Sequence, residues 1–145
     1  MRFESDRRYQ LPVSPTELWA ALTRLDRYQL WWPWLREFDA QLLAGDETWD
    51  CLVQPPLPYR VRFAVALEEV TAPTTVRASI TGDVVGQARL DIVEQPDGSE
   101  ARLVSHLEPG NGFLRAVARL AAPVVRYGHD WVLDTGARQF IDRAV

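Results

Sequence analysis

The first residues alternate strictly. Phe3, Ser5, Arg7, Tyr9 and Leu11 fall on one side, with Arg2, Glu4, Asp6, Arg8 and Gln10 on the other, which predicts a strand over residues 2–12. The period then changes. Ser14, Pro15 and Glu17 have the spacing of an N-cap, a first-turn proline and a capping box. Leu18, Trp19, Leu22 and Leu25 follow at three- to four-residue intervals, the stripe of a short amphipathic helix. A second short helical turn is expected over residues 25–31, ending at Pro33.

Period two returns from residue 36 to residue 107. Residues 37–43, 48–54, 59–70, 75–81, 84–94 and 101–107 read as strands. Turn residues separate them: Gly45-Asp46, a proline cluster at 55–58, Gly82-Asp83, Pro96-Asp97-Gly98 and finally Pro109-Gly110. The links are too short for parallel crossovers, so an antiparallel meander is expected. After Gly110 a long helix fits, with Asn111 as its N-cap. Phe113, Val117, Leu120 and Val124 form one apolar stripe on it. Pro123 is expected to kink or reset the helix, because it removes a hydrogen bond and clashes with the preceding turn. Beyond it, Val125, Gly128, His129, Val132, Gly136 and Phe140 form a second stripe, offset from the first by about 120°.

This order of elements defines one α+β domain over residues 1–145: a curved antiparallel sheet wrapped around a long C-terminal helix, with two short helices near the N-terminus. One helix can cover a strongly twisted sheet but cannot fill the space beneath it. If the short helices plug one end, a cavity remains, and such cavities are where small-molecule sites form.

Composition narrows the reading. Apolar residues make up 47% of the 145 residues, enough for a large core, and six tryptophans suggest broad aromatic surfaces inside. A net charge of −4 and a pI near 5.2 argue against a nucleic-acid partner, which selects a basic face. All sixteen basic residues are arginine and most are scattered. Arg115, Arg119 and Arg126 share one helix face, read as solvated, with a docking patch as the alternative. Cys51 is the single cysteine, which excludes an internal disulfide and a thiolate metal site. No metal constellation, nucleotide-binding loop or nucleophile elbow stands out, so neither a metal nor another cofactor is expected. The N-terminus does not read as a signal peptide and no apolar run approaches a membrane span, so a cytoplasmic location is expected. The oligomeric state stays open.

Trp31-Trp32-Pro33-Trp34 is the most unusual segment. Its indoles either line a pocket mouth or anchor the short helices to the sheet. Alternation selects Trp49, Cys51, Phe63, Val65, Ile80, Leu90, Leu103 and Ser105 as the inward face, part core and part pocket wall. It places His106, Arg62, Arg77, Arg89 and Arg102 outside. Cys51 has no basic neighbour in sequence and reads as an inert buried thiol. His129, on the second helical stripe, is the one weak candidate for acid–base chemistry, against a structural role tied to Asp130 or a strand carbonyl.

Ser14-Pro15-x-x-Leu18-Trp19-x-x-Leu22 followed by Tyr28-x-x-Trp31-Trp32-Pro33 resembles the N-terminal pattern of the polyketide cyclase/dehydrase and lipid-transport family, within the START-like superfamily. Gly82-Asp83-Val84-Val85-Gly86 and Asp97-Gly98-Ser99 resemble its middle, and His129-Asp130-Trp131-Val132 with Gly136 its terminal helix. The resemblance implies a helix-grip fold that binds a hydrophobic small molecule such as a lipid, polyketide or isoprenoid-like compound. The alternative it carries is a polyketide cyclase/aromatase or dehydratase working in the same cavity, and a partner-binding module is a third class. Leu90, Ser105 and Leu107 stand where the family often has aromatic residues, which implies a roomier or reshaped pocket. The expected ligand-contacting set is therefore Trp31, Trp32, the inward strand residues, and Val117, Leu120, Val124, His129 and Val132 on the helix.

Overall fold

A computed structural model describes residues 2–145. The chain forms β1 (Phe3–Leu11), α1 (Pro15–Leu22), a 3-10 turn (Leu25–Arg27) running into α2 (Tyr28–Trp31), and β2 (Leu35–Asp39). It continues through β3 (Thr48–Val53), β4 (Val61–Thr71), β5 (Thr75–Gly82), β6 (Val84–Gln95) and β7 (Gly98–Pro109). Two helices, α3 (Gly112–Leu120) and α4 (Ala122–Arg143), complete it.

All seven strands lie in one antiparallel sheet of order β1-β7-β6-β5-β4-β3-β2. Strands β2 to β7 are the expected meander, and β1 closes the far edge, with Phe3 opposite Leu107 and Leu11 opposite Ser99. Two register shifts, between Leu35 and Glu37 and between Leu67 and Glu69, add local twist. At Gly86 the strands leave no room for a side chain: a Cβ there would run into the carbonyl of His106. Gly98 opens β7 after the two-residue turn Pro96-Asp97 at φ +145°, a conformation other residues rarely adopt.

The first helix begins as its sequence demands. The Ser14 hydroxyl accepts from the Glu17 amide at 3.2 Å and donates to the Glu17 carboxylate at 3.1 Å, with Pro15 in the first turn. Leu18, 2% exposed, then packs with Leu11, Leu25, Trp31, Leu35, Ile92, Ala101 and Phe140 in the hydrophobic core. That core occupies the end of the sheet where β6 and β7 meet at their hairpin. The short helices cover this end, but they leave a smaller apolar cavity beneath α1.

At Pro123 the helix is reset rather than kinked: Ala121 leaves the helical region (φ −145°, ψ 53°), and Pro123 sits in the first turn of α4, where its missing N–H costs nothing. The inward face of the first segment differs from expectation. The stripe assigned to the inside of the first segment faces out. Leu120 is 89% exposed, Phe113 64% and Val124 39%, and Val117 is half-buried. The inward pair is Leu114 and Ala118, 3% and 1% exposed. The cap explains the rotation. The Asn111 side chain accepts from the Leu114 amide at 2.7 Å and donates to Asp83 at 2.8 Å, which bolts the start of α3 to the β5–β6 turn and directs Leu114 inward.

Truncation should separate the two faces of α3. Leu114→Ala is expected to lose about 2–5 kcal/mol in urea unfolding. Leu120→Ser should stay within about 0.5 kcal/mol of the parent, as an exposed substitution does. Equal losses would contradict the observed rotation.

Candidate functional site

Beneath α4 lies a cavity of about 360 Å³. Its wall draws on every strand, from Phe3 on β1 and Phe38 on β2 to Ile80 on β5 and Leu107 on β7, so the sheet curves around it. The volume falls within the ~300–1,000 Å³ of small-molecule sites. Ten of the residues selected from sequence line it. Trp32, Trp49 and Cys51 lie on one side, Phe63, Val65 and Ile80 on the sheet floor, and Leu103 and Ser105 toward β1. His129 and Val132 come from α4.

Five do not. Val117, Leu120 and Val124 lie outside the lining, for the rotational reason given above. Leu90 is on the inward face, but far enough along β6 to line a second apolar cavity of about 250 Å³ under α1 and the end of α4. Trp31 is core: it is 7% exposed and stands perpendicular to Phe140 with ring centres 5.3 Å apart. Sequence reasoning left Tyr28, Trp34, Tyr59, Leu114 and Val125 out of the set, yet all five line the cavity. Tyr59 shares the alternation phase of Phe63 and Val65, and Val125 that of His129, so both carried a usable signal.

The tryptophans fix where the helix sits. Trp32 donates its indole N–H to the Gly136 carbonyl at 2.9 Å, and Trp34 donates to the Gln139 side chain at 2.8 Å. Their rings stack 5.8 Å apart and form, with Leu103, Val132 and Leu133, the wall shared by the two cavities. Gly136 permits this arrangement, since a Cβ there would press on the Trp34 ring at 3.1 Å. On the opposite side β1 tethers α4. Arg7 pairs with Asp130 at 3.0 Å and Asp134 at 3.2 Å, and the Tyr9 hydroxyl donates to the Leu133 carbonyl at 3.4 Å.

Polar groups on the wall are mostly spoken for. The Trp49 indole donates to the Leu42 carbonyl at 2.9 Å, and the Tyr28 hydroxyl to the Leu22 carbonyl at 2.6 Å. Ser105 shares a hydrogen bond with Ser5 at 2.7 Å. His129 is different: its Nε2 is buried without a partner among the described residues. Burial lowers its pKa below 6.5, and the nearby Arg7 and Arg126 charges push the same way, against the opposing pull of Asp130. The ring is therefore neutral at physiological pH. Asp130 Oδ1, 3.5 Å from Nδ1, favours the proton on that nitrogen, which leaves Nε2 as a hydrogen-bond acceptor. Cys51 behaves as expected of an inert thiol, its pKa pushed up to about 12 by burial and by Asp50. Among the described residues no group of His, Cys, Asp and Glu is arranged to hold a metal ion, and no helix is long and apolar enough to cross a membrane.

No protein-family model matches the chain, and no curated protein matches it at a significant level. Solved structures do. The di-domain ARO/CYC BexL of the BE-7585A biosynthetic pathway superposes with a TM-score of 0.76 at 11% identity, over 99% of this chain and 50% of BexL. This chain thus spans about half of that protein. Ara h 8.0201 matches with a TM-score of 0.69 at 8% identity, over 99% of this chain and 98% of its own. A Staphylococcus aureus protein of unknown function matches at 0.65 and 12% identity, over 96% and 93%. The chain has the helix-grip fold of these structures, as the sequence resemblance implied.

Two measurements check the electrostatics. Below pH 6.5 the unfolded chain takes up a proton that folded His129 resists, so stability should fall as pH drops from 6.5 to the lowered folded pKa, then level off. His129→Phe should flatten that step in unfolding curves taken across the range. Cys51 should stay unreactive toward a thiol reagent at pH 8 in the native protein and react on unfolding; rapid native labelling would contradict its burial.

Proposed function

We propose that this protein binds a small hydrophobic molecule in the cavity between the sheet and α4, with a ligand hydroxyl donating to His129. The observation that carries the reading is the cavity itself: about 360 Å³ of apolar-walled space whose histidine holds an unpartnered acceptor nitrogen. Interiors pack closely, and a void this large costs the fold lost contacts unless something occupies it. Burial of the ligand's apolar surface supplies affinity at about 25 cal/mol per Å² before the costs of association. Lipids, polyketides and isoprenoid-like compounds with one hydroxyl or phenol are the chemical class that fits. No metal or other cofactor enters the reading.

A second reading, catalysis on a polyketide-like ligand, draws support from the likeness to BexL and from the neutral state of His129. An unprotonated imidazole in a dry cavity is suited to take a proton from a bound enol or phenol. In that reading the walls contribute by positioning a reactive chain.

A thermal-shift screen tests the first reading. A ligand at ~100 times its dissociation constant stabilises the fold by about 2.7 kcal/mol, a shift of several degrees for this size of domain. Phenolic polyketides and hydroxylated isoprenoids should shift the midpoint, and His129→Phe should weaken them about three- to tenfold, the worth of one hydrogen bond. Hydrocarbon analogues lacking the hydroxyl should be insensitive to that change. If His129→Ala instead binds normally and loses ~10²–10⁴-fold of a measured turnover, the second reading holds.

A further inference from the structure

We propose that the outer face of α3 and the first turn of α4 form a docking surface for an anionic lipid bilayer. Phe113, Leu120, Val124 and Tyr127 project from this segment into solvent, 39–89% exposed, and Val85 beside them on β6 is 44% exposed. Leu30, Leu42 and Val93 are also exposed, but far apart in sequence, whereas these four helix residues fall within fifteen residues, and a clustered apolar face marks an interaction site.

The chemistry around that face selects a lipid surface over a protein. From residue 112 to residue 127 the chain contains only Gly, Ala, Val, Leu, Phe, Pro, Tyr and Arg. A protein interface carries roughly one hydrogen bond per 100–200 Å² and a mixed polar rim. Apart from Tyr127, this segment offers guanidinium groups alone. Arg115, Arg119 and Arg126 are exposed and, like Arg36, Arg60, Arg138 and Arg143, form no ion pair among the described residues, though Arg126 lies over the Phe3 ring at 5.4 Å; Arg7, Arg24, Arg62, Arg89 and Arg102 pair with carboxylates. No acidic residue occurs between Glu108 and Asp130, in a chain whose net charge is −4. A second copy packed on the same face would bring these arginines together with no carboxylate to neutralise them. An anionic bilayer satisfies both halves: its acyl boundary takes the apolar side chains and its headgroups the cations. Arginine stems are long enough to reach the headgroups while their carbons lie along the apolar layer.

The surface also sits where docking has a consequence. Leu114, Val125 and Gly128, on the same two helices, line the cavity. A bilayer held against the outer face of α3 would therefore lie one helix thickness from the ligand space.

The test is co-sedimentation of the full chain with two kinds of vesicle, phosphatidylcholine alone and phosphatidylcholine with about one-third phosphatidylglycerol. Binding should require the anionic lipid and fall away near 1 M salt, where the screening length is about 3 Å. Arg115→Gln with Arg119→Gln should weaken it roughly twenty-five-fold, about fivefold per cation. Leu120→Asp should abolish it while leaving the melting temperature unchanged. None of these three residues lines the cavity, so a ligand-induced thermal shift should survive in every variant. That keeps failure of this proposal separate from failure of the binding reading. No sedimentation, equal sedimentation with neutral vesicles, or a dimer in solution that Leu120→Asp dissociates would overturn it.

Discussion

The structure depends on how α4 is held. A helix laid directly on the middle of the sheet would exclude any cavity. Here α4 is suspended between two supports: Arg7 and Tyr9 on the edge strand β1, and the Trp32 and Trp34 indoles on the other side. The arginine contacts are partly exposed and individually weak. The tryptophans matter more, because each combines a large, half-buried ring with one directed N–H. They prop the helix at a fixed height, and the space beneath its middle follows from that height.

The same arrangement sets the chemistry of the space. Apolar side chains from all seven strands make a low-dielectric lining, and low dielectric disfavours charge. His129 is neutral for that reason, and Cys51 is a thiol rather than a thiolate. The wall holds few polar atoms, most of them already bonded within the protein, so orientation of any bound molecule would fall to His129, to the Tyr59 hydroxyl and to shape. The proposed binding and the catalytic alternative share this starting point. They differ only in whether the imidazole accepts a hydrogen bond or a proton.

Much of this was legible in the sequence, for an identifiable reason. A strand has period two, so once one face is buried its register is determined. Seven of the eight strand residues chosen by alternation line the main cavity. The Ser14 and Asn111 caps were equally readable, because their hydrogen bonds are local. The failures are not local. Alternation placed Leu90 on the correct face but could not say how far along β6 the cavity extends. Trp31 and Trp34 exchange expected roles because the partner that positions Trp34, Gln139, lies more than a hundred residues away in sequence. Segment α3 carries two apolar faces, Phe113-Val117-Leu120 and Leu114-Ala118, and periodicity cannot choose between them. The choice is made by the bond from Asn111 to Asp83, a tertiary contact.

The central claim, that the space under α4 holds a small molecule, is tested most directly by native mass spectrometry. The protein would be purified without detergent and incubated with a hydrophobic extract of the cells that produce it. The account predicts a one-to-one complex with an apolar, hydroxyl-bearing compound, released on unfolding and lost when Ile80 or Leu103 is replaced by a bulkier Trp that fills the cavity. The bare protein mass before and after incubation, or an adduct that survives those substitutions, would contradict it.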